Sequence, residues 1–449
     1  MMSVWGKRWW PCVVLLGLLI TACSQSSPPA NRIPYPTEPM PSEDLPKDLR
    51  TFPQSAARYI SPQTTVLSQD RQAVLSRRYL ENFFSPWKSN FRVVPRHELQ
   101  TRYRNLTKSR GLGENLRPLG SRFLVWVADN AAVETFPSRS TCALTYRTVN
   151  LRTLPTIRPL FKAASGPDGF PFDLLQESLL WPGTPIRILH TSRDGQWVFV
   201  GSGFVFGWVE ACDVAPISSR EMSIFMKEQK GAVTADHQLF HAADGTVVGE
   251  GRVGMLLPVR GGKTLFPVRR DSGVVLTEVR ERIASFPVPM NGANVTSIID
   301  SLQGQPYGWG GLYRNRDCSA LMRDYFTPFG IWLPRNSYAQ ARTGRVEKLA
   351  GLGLASKKTR LLERGVPFLH LVGRKGHIAL YAGRHGGEPV FFHAMWGVPI
   401  RFTGEARSNR QIVGAAVFTS AEPGVEHPRR VGRLLLERMD FMTDPSRQD

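Results

Sequence analysis

The hydrophobic and polar positions change rhythm several times along the chain. After an apolar run near the start, residues 24–56 are rich in Pro and Ser, carry little apolar periodicity and read as an extended tether. Residues 57–125 turn helical, most clearly in SQDRQAVLSRRYLENFFSPWKSNF. There Val74, Leu75, Tyr79 and Phe83 fall near i, i+4 and i+8 and predict one apolar face. Short alternating runs take over at 126–218: QWVFVGSGFVFGWVE suits a small barrel, and Asp194-Gly195 signals a hairpin turn. More strands follow within 219–288, with turns at Asp244-Gly245 and Gly261-Gly262, so the two stretches read as consecutive β units of similar size. Residues 289–425 mix helix-like and strand-like runs. The tail, 426–449, is polar and basic, and VGRLLLERMDFM within it reads as a short final helix.

The first residues point to a compartment. Lys7 and Arg8 precede CVVLLGLLI, Cys12 to Ile20, an apolar run too short to span a bilayer, and TACSQSS follows. This reads as a secretory signal over 1–22. Ile20-Thr21-Ala22-Cys23 resembles the bacterial lipobox, which implies lipidation of Cys23 and a tether over 23–56; the alternative is an ordinary signal cut near Ala22. Ser24 rather than Asp follows the cysteine, so the expected location is the periplasm, lipid-anchored to the outer membrane. No later segment approaches about 18 consecutive apolar residues.

Charge narrows the partners. With 57 Lys and Arg against 37 Asp and Glu, the net charge is +20, which suits an anionic partner or a generally basic, soluble surface. No zinc finger, RNA-recognition signature or basic helix occurs, so nucleic acid is not expected. His190, His237, His241 and His370 have no ligand spacing with Cys or acids, so neither a metal nor another cofactor is expected. Of five cysteines, Cys12 leaves with the signal and Cys23 carries lipid. Cys142 and Cys212 could pair in an oxidising space, and Cys318 is left over.

Cys318 sits in QPYGWGGLYRNRDCSALMRDYF. Leu321, Met322, Tyr325 and Phe326 follow at helical spacing, which puts the cysteine at a helix N-terminus, where the dipole and a nearby imidazolium would favour thiolate. Gly308, Gly310 and Gly311 permit a tight turn and close approach of another chain segment. Arg323 and Asp324 read as a solvated helix face. A base is available in GHIALYAGRHGGEPVFFHAMWG, where AGRHGGEP is turn chemistry between two alternating runs. A hairpin centred on His385 pairs residues whose numbers sum to 770. It therefore sets His377 opposite His393 unless a bulge intervenes.

PYGWGG, RDCSALM, LPRNSYAQ, GHIALYAG and FFHAMWG, in this order over about 290–420, resemble the NlpC/P60 family of papain-like cysteine peptidases of the bacterial cell wall. VNLRTLP with the later GQWVFV and GWV is similar to bacterial SH3-like domains. The expected architecture is multi-domain. It has a helical N-terminal stabilising domain (57–125), two small SH3-like β-barrels (126–218 and 219–288) and a C-terminal α+β papain-like NlpC/P60 catalytic domain (289–425). The resemblance implies Cys318 as nucleophile, His377 as base and His393 as the orienting residue. It places Tyr307 beside the site and Asp317, Ser319, Arg335 and Ser337 near the substrate; Trp309 either walls the cleft or packs under the glycine turn. Ala320 stands where members usually have Gly, and VGRKG replaces the usual Pro-Gly-Asp before the base.

The expected activity is hydrolysis of murein stem peptides by a monomer at the γ-D-glutamyl–meso-diaminopimelate bond. The resemblance further implies that the first SH3-like unit narrows the cleft, so that peptides with a free N-terminal L-Ala are preferred and residues from 126–218 line the cleft. A catalytically inactive wall-binding lipoprotein and a thiol acyltransferase or amidase are the competing classes.

Overall fold

The computed structural model describes residues 45–448 apart from 167–168, 272 and 402–408, so the expected signal, the lipidation site Cys23 and the tether to residue 44 lie outside the described residues. Among the described residues no helix is long and apolar enough to cross a membrane. The stretch 45–56 departs from an extended tether. The carboxylate of buried Asp48 accepts from the Ser420 amide, and the Gln54 side chain bonds both the amide and the carbonyl of Phe418. Polar side chains meeting a strand backbone explain why no apolar pattern announced this contact.

The Gln69–Phe83 helix starts at Ser68, whose hydroxyl accepts from the Arg71 amide. Its buried stripe is Gln72, Leu75, Ser76, Tyr79 and Phe83, whereas Val74, expected on the apolar face, is 45% exposed. Position 74 lies one residue from 75, about 100° round the helix, and so falls off the stripe. That stripe packs on the C-terminal domain: Tyr79 hydrogen-bonds Thr327 at 3.1 Å and its ring meets Trp332. The Arg96–Thr107 and Ser121–Asn130 helices pack instead on the first β unit through Leu99, Tyr103, Leu124 and Val127.

That unit is a seven-stranded sheet ordered β3-β2-β6-β5-β4-β1-β7. Its strands are β1 Thr141–Thr145, β2 Val149–Arg152, β3 Gln176–Leu180, β4 Pro185–Thr191, β5 Trp197–Ser202, β6 Phe206–Glu210 and β7 Val214–Pro216. Gly195, at φ +72°, turns β4 into β5 as the Asp-Gly signal predicted. β5 is buried throughout, because Trp197 and Phe199 face the helices while Val198 and Val200 face a second apolar core.

The second unit is a five-stranded sheet, β13-β12-β11-β8-β14, beside a β9–β10 ribbon. It comprises β8 Gln229–Ala232, β9 Gln238–His241, β10 Val247–Gly251, β11 Leu256–Arg260, β12 Lys263–Arg270, β13 Gly273–Glu278 and β14 Ala284–Ser285. Both sheets are open.

The C-terminal domain sets the Gly292–Leu302 and Cys318–Phe326 helices beside a six-stranded sheet ordered β15-β20-β16-β17-β18-β19. Its strands are β15 Arg345–Lys348, β16 Leu371–Arg374, β17 His377–His385, β18 Glu388–Ile400, β19 Asn409–Thr419 and β20 Phe441–Asp444. Here the tail corrects the sequence reading. In place of a final helix, Leu436–Arg438 form one 3-10 turn, and β20 inserts between β15 and β16. Leu434, Leu436, Met439 and Met442 are buried, so the apolar spacing marked a wrapped segment and a strand rather than a helix face.

Candidate active site

Cys318 begins its helix and is 7% exposed. The N-cap is Asp317, whose Oδ1 accepts from the Ala320 amide at 2.8 Å. Ala320 thus contributes a backbone amide here, which a Gly at this position would also supply. The preceding turn holds Gly310 and Gly311 at φ +58° and +97°. A Cβ on Gly310 would lie 2.7 Å from the Gln176 side chain and one on Gly311 would overlap Leu179, so the approaching segment expected at these glycines is β3 of the first β unit.

β16 and β17 form a hairpin through Lys375-Gly376, with Gly376 at φ +90° and Arg374 opposite His377; the VGRKG departure therefore closes as a tight turn. The Gly376 amide donates to Ser337 Oγ at 3.1 Å, so Ser337 steadies this turn. The Ile378 amide lies near enough to the Cys318 sulfur to favour its thiolate, which brings the nucleophile to the strand that carries His377.

The β17–β18 hairpin is not centred on His385. Gly386-Gly387 make the turn, and His385 pairs with Glu388. That register, continued unbroken, would set His393 opposite Leu380 and place the two imidazoles on opposite faces of the sheet. A bulge between Tyr381 and Gly383 shifts the count by one, so that Leu380 pairs with Phe392. His377 and His393 then share a face as diagonal neighbours, and His377 Nε2 lies 2.8 Å from His393 Nδ1. The expected proximity stands; the expected register does not.

One hydroxyl fixes both tautomers. Thr419 Oγ1 donates to the Ser420 carbonyl at 3.0 Å, because a carbonyl can only accept. The hydroxyl then accepts at 3.0 Å from His393 Nε2, which must carry the proton. His393 Nδ1 is left to accept from His377 Nε2–H, and the unprotonated nitrogen of His377 is Nδ1. Thr419, at the end of β19, escaped the sequence reading, since only strand register brings it beside His393.

Electrostatics revise one expectation. Burial, then the Asp317 carboxylate, push the Cys318 thiol up to about 12, against the Ile378 amide, Arg335 and the Ser319 amide. Burial, then His393 and nearby arginines, hold His377 well below the usual imidazole range, and burial lowers His393 to about 3. Both shifts run toward the neutral thiol and the neutral imidazole, against the pull of the helix dipole, because desolvation is the largest cause of each.

Asp317, Ser319 and Arg335 form a closed network rather than a cleft wall. Arg335 binds Asp317 at 2.7 Å, Ser319 Oγ at 2.9 Å and, through Nε, Ser178 Oγ on β3 at 2.7 Å. Burial alone would raise Asp317; the Arg335 guanidinium and the Ala320 amide more than offset it and hold the carboxyl below its usual range. Asp324, read as solvated, is buried: Arg316 at 2.7 Å and Trp181 Nε1 at 2.9 Å bond it, and Arg316 also pairs with Asp236.

A cavity of about 140 Å³ opens beside His377. Tyr307 and Trp309 line it, and Trp309 also packs edge-on against Phe172 and donates to the Asp173 carbonyl at 2.9 Å. Phe172 too faces the cavity, so the first β unit reaches the cleft. Cys142 and Cys212 are both free thiols. The four histidines without ligand spacing hold structural partners: His190 meets Ser138, His237 meets Glu250, His241 meets Glu281, and His370 lies 3.7 Å from Asp444.

A buried thiol at a helix N-terminus beside a proton-ordered histidine pair is the apparatus of a thiol hydrolase. Residues 304–415 match the NlpC/P60 family, residues 12–136 the N-terminal NLPC_P60 stabilising domain, and residues 159–210 an SH3 domain of SH3b1 type. Among solved structures, the chain is similar to an NlpC/P60 endopeptidase from Photobacterium damselae subsp. piscicida, with 23% identity, 88% of this chain and 98% of that one covered, and a TM-score of 0.81. An NlpC/P60 family protein from Bacillus cereus is 14% identical, covering 68% and 99%, with a TM-score of 0.42. Comparison with curated proteins gives no match. The C-terminal domain, over residues 304–415, thus matches the NlpC/P60 family of cell-wall cysteine peptidases, behind that family's N-terminal stabilising domain and an SH3 domain.

Proposed function

We propose that this chain hydrolyses the γ-D-glutamyl–meso-diaminopimelate bond of murein stem peptides, with Cys318 as nucleophile, His377 as base and His393 as its orienting partner. The observation that carries the reading is the proton order from Thr419 through His393 to His377, which leaves His377 Nδ1 as the basic atom on the strand whose Ile378 amide meets the Cys318 sulfur. The Cys318 sulfur attacks the carbonyl as its proton passes to His377, and the Cys318 amide helps hold the oxyanion. Collapse breaks the C–N bond; His377 returns the proton to the leaving amine, and a thioester remains. Water, deprotonated by His377, releases the acid and restores the thiol.

Phe172 and Trp309 wall the cleft from the side of the first β unit, which supports a preference for short peptides with a free N-terminal L-Ala. Asp173, the acid nearest this wall in sequence, is taken up by buried Arg152 at 2.6 Å. The enzyme acts as a monomer anchored through Cys23 to the periplasmic face of the outer membrane. The test is a paired digest of free L-Ala-γ-D-Glu-diaminopimelate and the disaccharide-linked tripeptide, read by mass spectrometry. Release of L-Ala-γ-D-Glu from the free peptide alone is expected. Equal rates would reject the gated cleft, and no product from either would reject the peptidase reading.

A further inference from the structure

The cavity beside His377 carries an unbalanced charge. Arg374, Arg410, Arg433 and Arg438 line it, and among the described residues no Asp or Glu does. Among the described residues, the guanidiniums of Arg374, Arg433 and Arg438 form neither an ion pair nor a side-chain hydrogen bond. Burial and the neighbouring arginines pull Arg438 down, and burial, with Arg433 and Arg410, pulls Arg374 down against the pull of Asp440. Val398, Leu434 and Met439 supply apolar wall between the charges. Like charges gathered on a partly apolar surface repel one another, and an oxyanion placed among them relieves that repulsion through forked hydrogen bonds.

We infer that this arginine-lined cavity is the receptor for the free carboxylates of the residue that leaves when the peptide is cut. The inference rests on the peptidase reading for its choice of anion and on position for its choice of side. Arg374 stands directly opposite His377 in the β16–β17 hairpin, and Arg438 comes from the wrapped tail. His377 hands its proton to the departing amine, so groups flanking it face the leaving fragment. Phe172 and Trp309 complete the lining of this cavity, and the Arg410 guanidinium lies 5.6 Å from the centre of the Phe172 ring. A leaving residue with two free carboxylates matches this charge; its carboxamide does not.

The test uses the full chain with Cys318→Ala, titrated calorimetrically with L-Ala-γ-D-Glu-meso-diaminopimelate and with the same peptide amidated at both diaminopimelate carboxylates. The acid should bind about 10- to 100-fold more tightly. Arg433→Gln, at an exposed position, and Arg438→Gln should shrink that ratio toward one. In the active chain the same changes should raise KM for the acid peptide more than they lower kcat. Equal affinity for acid and amide in the parent would overturn the assignment, as would tighter binding of inorganic phosphate than of the acid peptide. Charge-selective binding without turnover by the Cys318 chain would uphold the receptor and reject the peptidase reading; turnover of both peptides with equal affinity would do the reverse.

Discussion

The two β units hold the catalytic domain by different physics. The first meets it through shape and single hydrogen bonds: Gln176 donates to the Gly310 carbonyl, Ser178 accepts from Arg335, and Phe172 packs on Trp309 at the cleft wall. The second meets it through buried charge. Asp236 pairs with Arg316 and Arg252, and Arg316 also reaches Asp324. Contacts of the first kind are small and separable, so a unit that bears on substrate can adjust one residue at a time. A buried charge cluster fails as a whole when one partner goes, because the others remain desolvated. One unit is therefore suited to shaping specificity and the other to fixing position.

The largest effect tests neither unit but the chemistry between them. Cys318→Ala should lower turnover on the order of 10⁴-fold or more, with His377→Ala close behind and His393→Ala milder, while the melting temperature barely moves. Substantial turnover by the Cys318→Ala chain would remove the thiol from the mechanism. Next, Arg316→Met should cost about 3–5 kcal/mol in denaturant unfolding by stranding Asp236 and Asp324. A loss below about 1 kcal/mol would erase the contrast between the units.

Acid should act on the histidine pair. Both imidazoles are neutral when folded and protonate more readily unfolded, so the unfolded chain binds more protons and stability falls as pH drops. The loss begins near the unfolded value of about 6.5 and for His393 runs to about 3. Thermal melts between pH 7 and 4 should show this, and His393→Asn should flatten the slope. An unchanged slope would place the acid sensitivity elsewhere. The smallest effect belongs to the first unit: Ser178→Ala should cost about 1–2 kcal/mol, well under Arg316→Met. Phe172→Ala should leave stability near parent but narrow the rate difference between free and disaccharide-linked peptides. Iodoacetamide at pH 7 should reach exposed Cys212 before Cys318, in keeping with a neutral buried thiol.

The site was legible where chemistry and local pattern coincide. Cys318 at its helix start follows from motif and helical spacing, and the His377–His393 pair from motif, with a bulge that alternation did not announce bringing the two together. What stayed hidden depends on tertiary register. Asp324 looked solvated because nothing local announces that Arg316 and Trp181 fold over it. Thr419 is one hydroxyl at a strand end, and Arg433 and Arg438 sat in a tail whose apolar spacing read as a helix. Val74 was one position away from a stripe correctly seen at Leu75, Tyr79 and Phe83. The second unit's strands were visible, but its role as a charged brace was not, since Asp236, Arg252 and Arg316 are far apart in sequence.

The bulge in β17 makes the active site a matter of parity. Residues added in pairs at the Gly386-Gly387 tip lengthen the hairpin outward and leave the histidines where they are. Removing Ala379 alone, between the bulge and the base, changes no catalytic side chain, yet it carries His377 across to the other side of the sheet from His393. Between the bulge and the histidines, length variation is thus tolerated by even numbers and punished by odd ones. A chain that lost this single alanine would keep every catalytic residue and no catalytic site.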